Sequence, residues 1–315
     1  MSRSRRLAGG VIGLGLLVVI CMLGPLVLPA PPAADPAHAA LLPPGTAVTE
    51  IVVDDGRTLV SPAVEIEENS VVVEGPRRTA TIPRDRVTSI RKTRFWLGSD
   101  RFGRDVLTEL MVGGRISISI AASAVLIALL IGTTVSLTAA TGGPLVDAAL
   151  MRLVDALMAF PVLFLLILLA TLFRPGPAVL ITVLGMTSWM GLARLVRGQV
   201  LTLRGRTFVL AARAAGSRPM RTWRTHFLPN LAGPLSQDTA LRLGDLVLAE
   251  ATLSYLGLGI PPDIPTWGAM VAEGHRVMID GWWLATLPGL AIATLVISLA
   301  LIGDGIQERL GRGVS

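Results

Sequence analysis

The stretch GLARLVRGQVLTLRGRTFVLAARAAGSRPMRTWRTHFLPNLAGP, residues 191–234, decides how this chain is arranged. It places eight arginines (Arg194, Arg197, Arg204, Arg206, Arg213, Arg218, Arg221 and Arg224) between two apolar segments and contains no Asp or Glu. A cationic loop joining membrane spans is retained on the cytoplasmic side, so this segment fixes the topology of the spans that flank it. Within it, Phe208-Val-Leu-Ala-Ala-Arg-Ala-Ala-Gly216 has the composition of a short helix. That run leads through Arg218, Pro219 and Arg224 to Phe227-Leu-Pro-Asn230. Such a loop is a handle for a cytoplasmic partner.

Working outward, the 315 residues are 52% hydrophobic and 16% charged, too much apolar surface for one water-soluble core. The chain belongs in a bilayer. A pI near 11.0 would suggest nucleic acid in a soluble protein. Here the arginines gather in the loop and at the termini beside apolar runs, which membrane topology explains and DNA binding does not. Cys21 is the single cysteine and sits in an apolar run, so it reads as a buried structural thiol with no internal disulfide. His38, His226 and His275 share no ligand spacing with nearby acids, and no metal site is expected.

About 20 apolar residues cross the hydrocarbon core as a helix. Residues 7–28, 116–140, 156–173, 178–196 and 282–302 satisfy this directly, whereas 231–256 carries Asp238, Arg242, Asp245 and Glu250. Parity resolves the sixth. Arg3, Arg5 and Arg6 hold the N-terminus inside, and Arg309 and Arg312 suit an inside C-terminus, so the number of spans is even. The expected fold is an all-α membrane protein of six transmembrane helices. The first span also imitates a secretory signal, with Ala37-His-Ala39 as its cleavage site, but its apolar run exceeds the usual signal core, and a retained anchor is expected.

Between residues 31 and 94 the hydropathy collapses, and this part is expected outside the cytoplasm. It opens as the Pro/Ala linker Pro31-Pro-Ala-Ala-Asp-Pro36. It then alternates like strands in Thr49-Glu-Ile-Val-Val53, Ala63-Val-Glu-Ile-Glu67 and Val71-Val-Val-Glu74, with turn chemistry at Asp55-Gly56 and Glu74-Gly-Pro76. A small β-rich insert is expected. Its nine acids and eight bases nearly cancel, so it is not a strong electrostatic trap; it is either a tolerated decoration or a dock for an external partner. The organisation is thus an N-terminal helix over 1–30, a linker and insert over 31–94, and a helical domain over 95–315. The cytoplasmic loop occupies 197–231.

Much catalytic chemistry is missing. Lys92 is the only lysine, preceded by Arg91 and with Arg86 where a phosphate loop needs its first glycine, so the chain has no such loop for ATP. No Gly-x-Ser-x-Gly or His-Glu-x-x-His motif is present. Nor is there a clear internal repeat of the inverted-carrier type. The polar candidates are therefore the intramembrane charges. Asp238, Arg242 and Asp245 lie at i, i+4 and i+7 on one helical face, with Glu250 turned away. They form either an ion-paired packing face or the lining of a pathway. Phe95 to Asp105 reads as an interfacial elbow of aromatics and alternating charge, and Gly257-Leu-Gly-Ile-Pro-Pro262 with Pro265-Thr-Trp-Gly268 as a turn-rich cap.

At these residues a resemblance enters. The chain resembles the inner-membrane permease subunits of ABC importers for dipeptides, oligopeptides and nickel, specifically the C-type subunit. Trp96-Leu-Gly-Ser-Asp-Arg-Phe-Gly-Arg-Asp-Val106 is similar to the family's motif before the second span. Leu153-Val-Asp-Ala-Leu-Met-Ala-Phe-Pro161 is similar to its approach to the third. Ser188-Trp-Met-Gly-Leu-Ala-Arg-Leu-Val-Arg-Gly-Gln-Val200 precedes the family's coupling loop. Leu248-Ala-Glu-Ala-Thr-Leu-Ser-Tyr-Leu-Gly-Leu-Gly259 with Trp267-Gly268 is the most specific match, completed by Pro288-Gly-Leu290 and Leu301-Ile-Gly-Asp-Gly305. The likeness covers Phe95 to the C-terminus and, loosely, the first span. The insert from Thr46 to Lys92 is outside it.

The resemblance implies a non-catalytic permease that pairs with a homologous B-type subunit, two cytoplasmic ATPases holding ATP and Mg, an external substrate-binding protein and membrane lipid, but no nucleic acid. It implies location in the inner membrane of a prokaryote, with both termini cytoplasmic. It also implies a coupling helix seated in a cleft of the ATPase. Ala211, Ala212, Gly216, Leu228 and Pro229 fit that family pattern, Arg213, Ser217, Arg218, Pro219, Met220 and Arg221 lie within it, and Leu210 stands where the family has Glu. Import of nickel by the same machinery, an ion-coupled carrier using Asp238, Asp245 and Glu250, and a membrane-embedded enzyme are the rival readings.

Overall fold

The computed structural model describes residues 3–27, 36–75, 78–174, 176–261 and 264–311, and within these it is mostly helical. The Pro31-to-Asp35 part of the linker, Pro76, Pro262 and Arg312 lie outside the described residues. Helix α1 (Arg3–Val27) is followed by the short α2 (Pro36–Ala39) and six strands: β1 (Thr46–Val53), β2 (Thr58–Ser61), β3 (Ala63–Ile66), β4 (Ser70–Glu74), β5 (Thr79–Pro83) and β6 (Val87–Phe95). The remaining helices are α3 (Val106–Thr141), α4 (Pro144–Met158), α5 (Val162–Leu172), α6 (Pro177–Arg204), α7 (Thr207–Ala214), α8 (Pro219–Thr222), α9 (Leu228–Tyr255), α10 (Trp267–Arg276) and α11 (Trp283–Gly311).

These elements form two compact units. One comprises residues 1–16, 117–261 and 292–315; the other comprises 17–116 and 262–291. In the second unit the strands make two antiparallel three-stranded sheets, ordered β2-β1-β6 and β3-β4-β5. Ile51 pairs with Leu59 on one side and Ile90 on the other, and Val71 pairs with Ile82. The period-two pattern sends Ile51, Val53, Val71, Val73 and Ile82 into one shared core. The alternation in the sequence marks β1, β3 and β4. It misses β2, β5 and β6, of which β6 carries Arg91, Lys92 and Arg94 along an almost wholly exposed strand.

Among the described residues, four helices are long and apolar enough to cross a bilayer: 6–27, 106–141, 177–204 and 283–308. The count becomes five if α4 and α5, bent by 82° at their break, make one span. Residues 156–173 are therefore not the single straight helix their hydropathy suggests. Pro161 has no N–H to donate back into α4, which stops that helix near Met158. The 11-residue α5 is alone too short, at about 1.5 Å per residue, for a hydrocarbon core of about 30 Å. α9 is 28 residues long, yet its charges keep it out of the apolar set.

In the first unit α3 and α6 approach closely where their side chains are small. A Cβ on Gly132 would lie 2.6 Å from Leu192 Cδ2, and one on Gly185 would lie 2.8 Å from Ile127 Cβ. Lipid offers no hydrophobic drive for helix pairing, so such backbone proximity, joined by the Ser136 hydroxyl donating to the Ala193 carbonyl at 2.8 Å, supplies the contact. Val11, Ile12, Leu16, Leu126, Leu130, Phe164 and Leu290 remain exposed. So much outward apolar surface on long helices is stable only in lipid or against other apolar helices.

Candidate functional site

The arginine-rich segment divides its charges between bracing and display. Arg194 reaches Asp155 at 2.5 Å, and Arg197 makes a two-bond fork to Asp147, with Nε to Oδ1 and Nη2 to Oδ2 both at 2.5 Å. Arg204 donates to the Ala140 carbonyl. These three tie the end of α6 to α4 and α3. Arg206, Arg213, Arg218, Arg221 and Arg224 are exposed and, among the described residues, make no ion pair.

Two apolar anchors hold the displayed segment. Val209 from α7 and Phe227 are fully buried in a cluster with Leu137, Ala140, Leu192, Val196, Val200 and Leu231. Between them the chain turns sharply at Gly216, whose φ is +78°. Gly216 N–H donates to the Arg213 carbonyl at 2.9 Å, and Ser217 N–H to the Ala212 carbonyl at 3.0 Å. This pair of bonds is the Schellman arrangement, and it ends α7 by satisfying two carbonyls that the helix leaves orphaned.

Pro219 opens α8, where its lack of an N–H costs nothing. The Thr222 hydroxyl reaches Ser217 Oγ at 3.2 Å and the Arg218 carbonyl at 3.3 Å, closing the turn. Residues 223–227 then widen into one π turn, with Leu228 N–H bonded to the Trp223 carbonyl. Pro229 accounts for that widening, because without an N–H it cannot continue the regular ladder at the next position.

The geometry groups the loop residues in one place. Ala211, Arg213, Gly216, Arg218, Pro219, Met220, Arg221, Leu228 and Pro229 are exposed, and Ala212 and Ser217 half-buried. With Phe208 and Leu210, also exposed, they give the segment a surface that combines apolar and cationic side chains. Leu210 contributes to the apolar part; no carboxylate stands there to brace the loop. Beneath the segment an apolar groove of about 860 Å³, touched by Leu130, Leu137, Trp223, Leu235 and Leu299, has no charged residue in its lining.

The four charges of α9 separate. Asp238 and Arg242 form a closed pair one turn apart, Nε to Oδ2 at 2.9 Å and Nη2 to Oδ1 at 3.1 Å, and Arg242 spends another donor on the Ser188 carbonyl at 2.7 Å. Asp245 is exposed and, among the described residues, has no ion-pair partner. It edges, with Arg242, a cavity of about 450 Å³ lined also by Phe160 and Pro161 of the α4–α5 break and by Ser188 and Met190 of α6.

Glu250 is fully buried on the other side, accepting from Ser117 Oγ at 3.0 Å and Ser254 Oγ at 2.8 Å. Just beyond it, Gly257 at φ +78° closes α9 with the same two-bond cap, Gly257 N–H to Ser254 O and Leu258 N–H to Leu253 O. The Leu-Ser-Tyr-Leu-Gly-Leu-Gly string is thus a helix terminus written in sequence.

In the second unit the elbow is a folded loop. Asp100 Oδ1 accepts from the backbone N–H of Phe102 and Arg104 at 2.8 and 2.7 Å, and its Oδ2 from Arg104 Nε at 2.7 Å. Asp105 then caps α3 through Thr108 N–H at 2.9 Å. Arg104 also lies 3.4 Å from Glu109 and 3.6 Å from Glu273, and Arg101 pairs with Glu273. Burial alone would depress the Arg104 guanidinium, but Asp100, Glu109 and Glu273 outweigh it and raise its pKa. Trp267 Nε1 donates to the Leu110 carbonyl at 2.9 Å and Trp283 Nε1 to the Ser99 carbonyl at 3.2 Å. The aromatics therefore act as struts as much as interfacial anchors, and sequence alone gave no sign of their carbonyl partners.

Comparison with known proteins follows the same lines. The family model described as binding-protein-dependent transport system inner membrane component matches residues 124–315, which include the arginine-rich segment and all of α9. The chain is 37% identical over 216 residues to the dipeptide transport system permease protein DppC of Bacillus subtilis (strain 168), covering 68% of each. It is 35% identical over 219 residues to the di/tripeptide permease DppC of Pseudomonas aeruginosa (strain UCBPP-PA14), covering 70% of this chain and 72% of that one. It is 34% identical over 226 residues to the glutathione transport system permease protein GsiD of Pectobacterium atrosepticum, covering 72% and 75%. Among solved structures it is similar in fold to the inward-facing MetNI methionine ABC transporter, at TM-score 0.52 and 19% identity over 66% of this chain and 96% of that one.

Proposed function

Because the chain belongs to the family of binding-protein-dependent transport system inner-membrane components, we propose that it forms half of the translocation pathway of an ATP-driven importer of di- and oligopeptides. The peptide cargo rests on the names of its relatives, the dipeptide, di/tripeptide and glutathione permeases. Six spans result if the broken α4–α5 pair counts as one and the charged α9 as another. Both termini and residues 197–231 then lie in the cytoplasm, and residues 31–94 outside, where the two small sheets would meet the substrate-binding protein.

The observation that carries this reading is the division of arginines in the loop. Three fasten the end of α6 to α3 and α4, while five are exposed alongside apolar side chains on a segment anchored by the buried Val209 and Phe227. A surface of that kind fits a cleft with acidic rims on an ATPase subunit. Ala211, Ala212, Arg213, Gly216, Ser217, Arg218, Pro219, Met220, Arg221, Leu228 and Pro229 are its contact residues. ATP and Mg stay on the two ATPases. Nucleotide supplies the differential binding energy between inward-open and outward-open states, and this chain transmits it to a homologous B-type permease.

Co-expression of this chain with its B-type subunit, ATPases and binding protein tests the reading. The assembled complex should take up dipeptide into vesicles only with ATP and binding protein present. Reversing Arg213 and Arg218 to Glu should strip the ATPases from the membrane; their retention with normal uptake would defeat the assignment of the loop.

A further inference from the structure

The α9 charges do not cancel. Asp238 and Arg242 are closed on one another, and the leftover guanidinium donor is spent on the Ser188 carbonyl. Among the described residues, that leaves Asp245 as the one uncompensated charge on the wall of the cavity beneath the α4–α5 break, since Arg242 and Asp245 are the only charged ones lining it. Both sit near the middle of a 28-residue helix, about 20 to 25 Å along it from Leu228 at about 1.5 Å per residue. An ionised side chain at such depth is retained only beside water, a partner or a solute. Most of the remaining lining, Leu157, Met158, Pro161, Leu165 and Leu246 among it, is apolar, with Thr187 and Ser188 as its uncharged polar side chains. A mostly apolar cavity with one fixed negative charge on its wall concentrates cations and disfavours anions.

We propose that this cavity is a transit subsite for solutes bearing a free ammonium group, with Asp245 as the residue that determines specificity for that group and the apolar walls accommodating attached side chains. Unblocked peptides are such solutes. The proposal rests on the reading that α9 lines the pathway of an importer, and it adds that this pathway discriminates by charge after the binding protein has released its cargo.

The test reads the electrostatics of the cavity in the assembled complex. In a Cys21→Ser background, Ala249→Cys on α9 and, separately, Met158→Cys on the opposite wall are reacted with cationic trimethylammonioethyl methanethiosulfonate and anionic sulfonatoethyl methanethiosulfonate. At both positions the cation-to-anion rate ratio should exceed that of a free thiol about tenfold. Adding Asp245→Asn should collapse it to within about twofold of the free-thiol value, and Asp245→Glu should retain it. Uptake of an unblocked dipeptide should fall about tenfold in Asp245→Asn and recover in Asp245→Glu.

A free-thiol ratio, as when a partner subunit neutralises Asp245, would overturn the proposal. So would a ratio indifferent to Asp245→Asn, or no reaction at either cysteine. A complex with intact Asp245 that assembles but imports no peptide would instead remove the importer reading beneath it.

Discussion

Replacing Gly216 with Val tests whether the conformation of one residue holds the proposed coupling surface in shape. The residue has φ +78° and ends α7 through two backbone bonds, Gly216 N–H to Arg213 O at 2.9 Å and Ser217 N–H to Ala212 O at 3.0 Å. An added Cβ would meet nothing within 4 Å, so steric collision is not part of the cost. What remains is the backbone penalty of a side chain in the left-handed region, about 1–2 kcal/mol for an L-residue and higher for a β-branched one. A penalty of about 1–2 kcal/mol lowers the ratio of capped to uncapped forms by a factor of about 5 to 30. Val209 and Phe227 are anchored in the core cluster on either side of Gly216, so the fold and membrane insertion should survive. Only the register of Arg218 to Arg221 against α7 is lost.

In proteoliposomes containing the full importer, Gly216→Val should leave the basal ATPase rate within about twofold while peptide moved per ATP falls about five- to thirtyfold. Gly216→Asn, which enters the left-handed region at low cost, should stay near the parent value. The Asn comparison isolates backbone conformation from loss of glycine. Parent-like coupling in Gly216→Val, or equal loss in Gly216→Asn and Gly216→Val, would refute the reasoning.

Two further outcomes follow from packing and pairing. Arg197→Ala leaves Asp147 without its two-bond partner at a site where the side chains are 29% and 22% exposed, and should cost about 1–3 kcal/mol, read as a lowered Tm of the detergent-solubilised chain. The exchange Asp147→Arg with Arg197→Asp should recover part of it. Gly274→Ala places a Cβ 2.3 Å from the Ala285 amide nitrogen and 2.5 Å from the Leu284 carbonyl carbon. Those are backbone atoms that cannot rotate away, so this one methyl should cost about 1–3 kcal/mol or more and sharply reduce the folded yield, measured by fluorescence-detected size exclusion.

How far the sequence spoke for itself depends on the kind of signal each element carries. The apolar runs behind α1, α3, α6 and α11 announce themselves, because a lipid-crossing helix needs little beyond length and hydropathy. The α4–α5 break does not. Hydropathy is blind to direction, and Pro161 alone does not reveal whether a helix kinks or ends. The strands fare similarly: β4 alternates cleanly and β1 only from Ile51 to Val53, whereas β6 buries so little that its pattern is polar on both faces. Local backbone devices were legible in kind, since a glycine after an Ala-rich run at Gly216, and again at Gly257, signals a helix end.

Partnerships between distant residues were not legible, and the candidate site depends on them. Asp238, Arg242 and Asp245 share a helix face in the sequence, and nothing there tells which two pair and which one is left over. The choice is made by the Ser188 carbonyl, 54 positions away, which takes a third donor from Arg242 and fixes the guanidinium over Asp238. Likewise, eight arginines in a row of loop and helix look equivalent until Asp147 and Asp155, two turns apart on α4, select Arg197 and Arg194 as braces. The charges left without an ion pair among the described residues, Asp245 within α9 and the five exposed arginines of the loop, are the ones we propose are satisfied by a solute and a partner protein. The same pairing that stabilises the chain thus determines where it remains open to others.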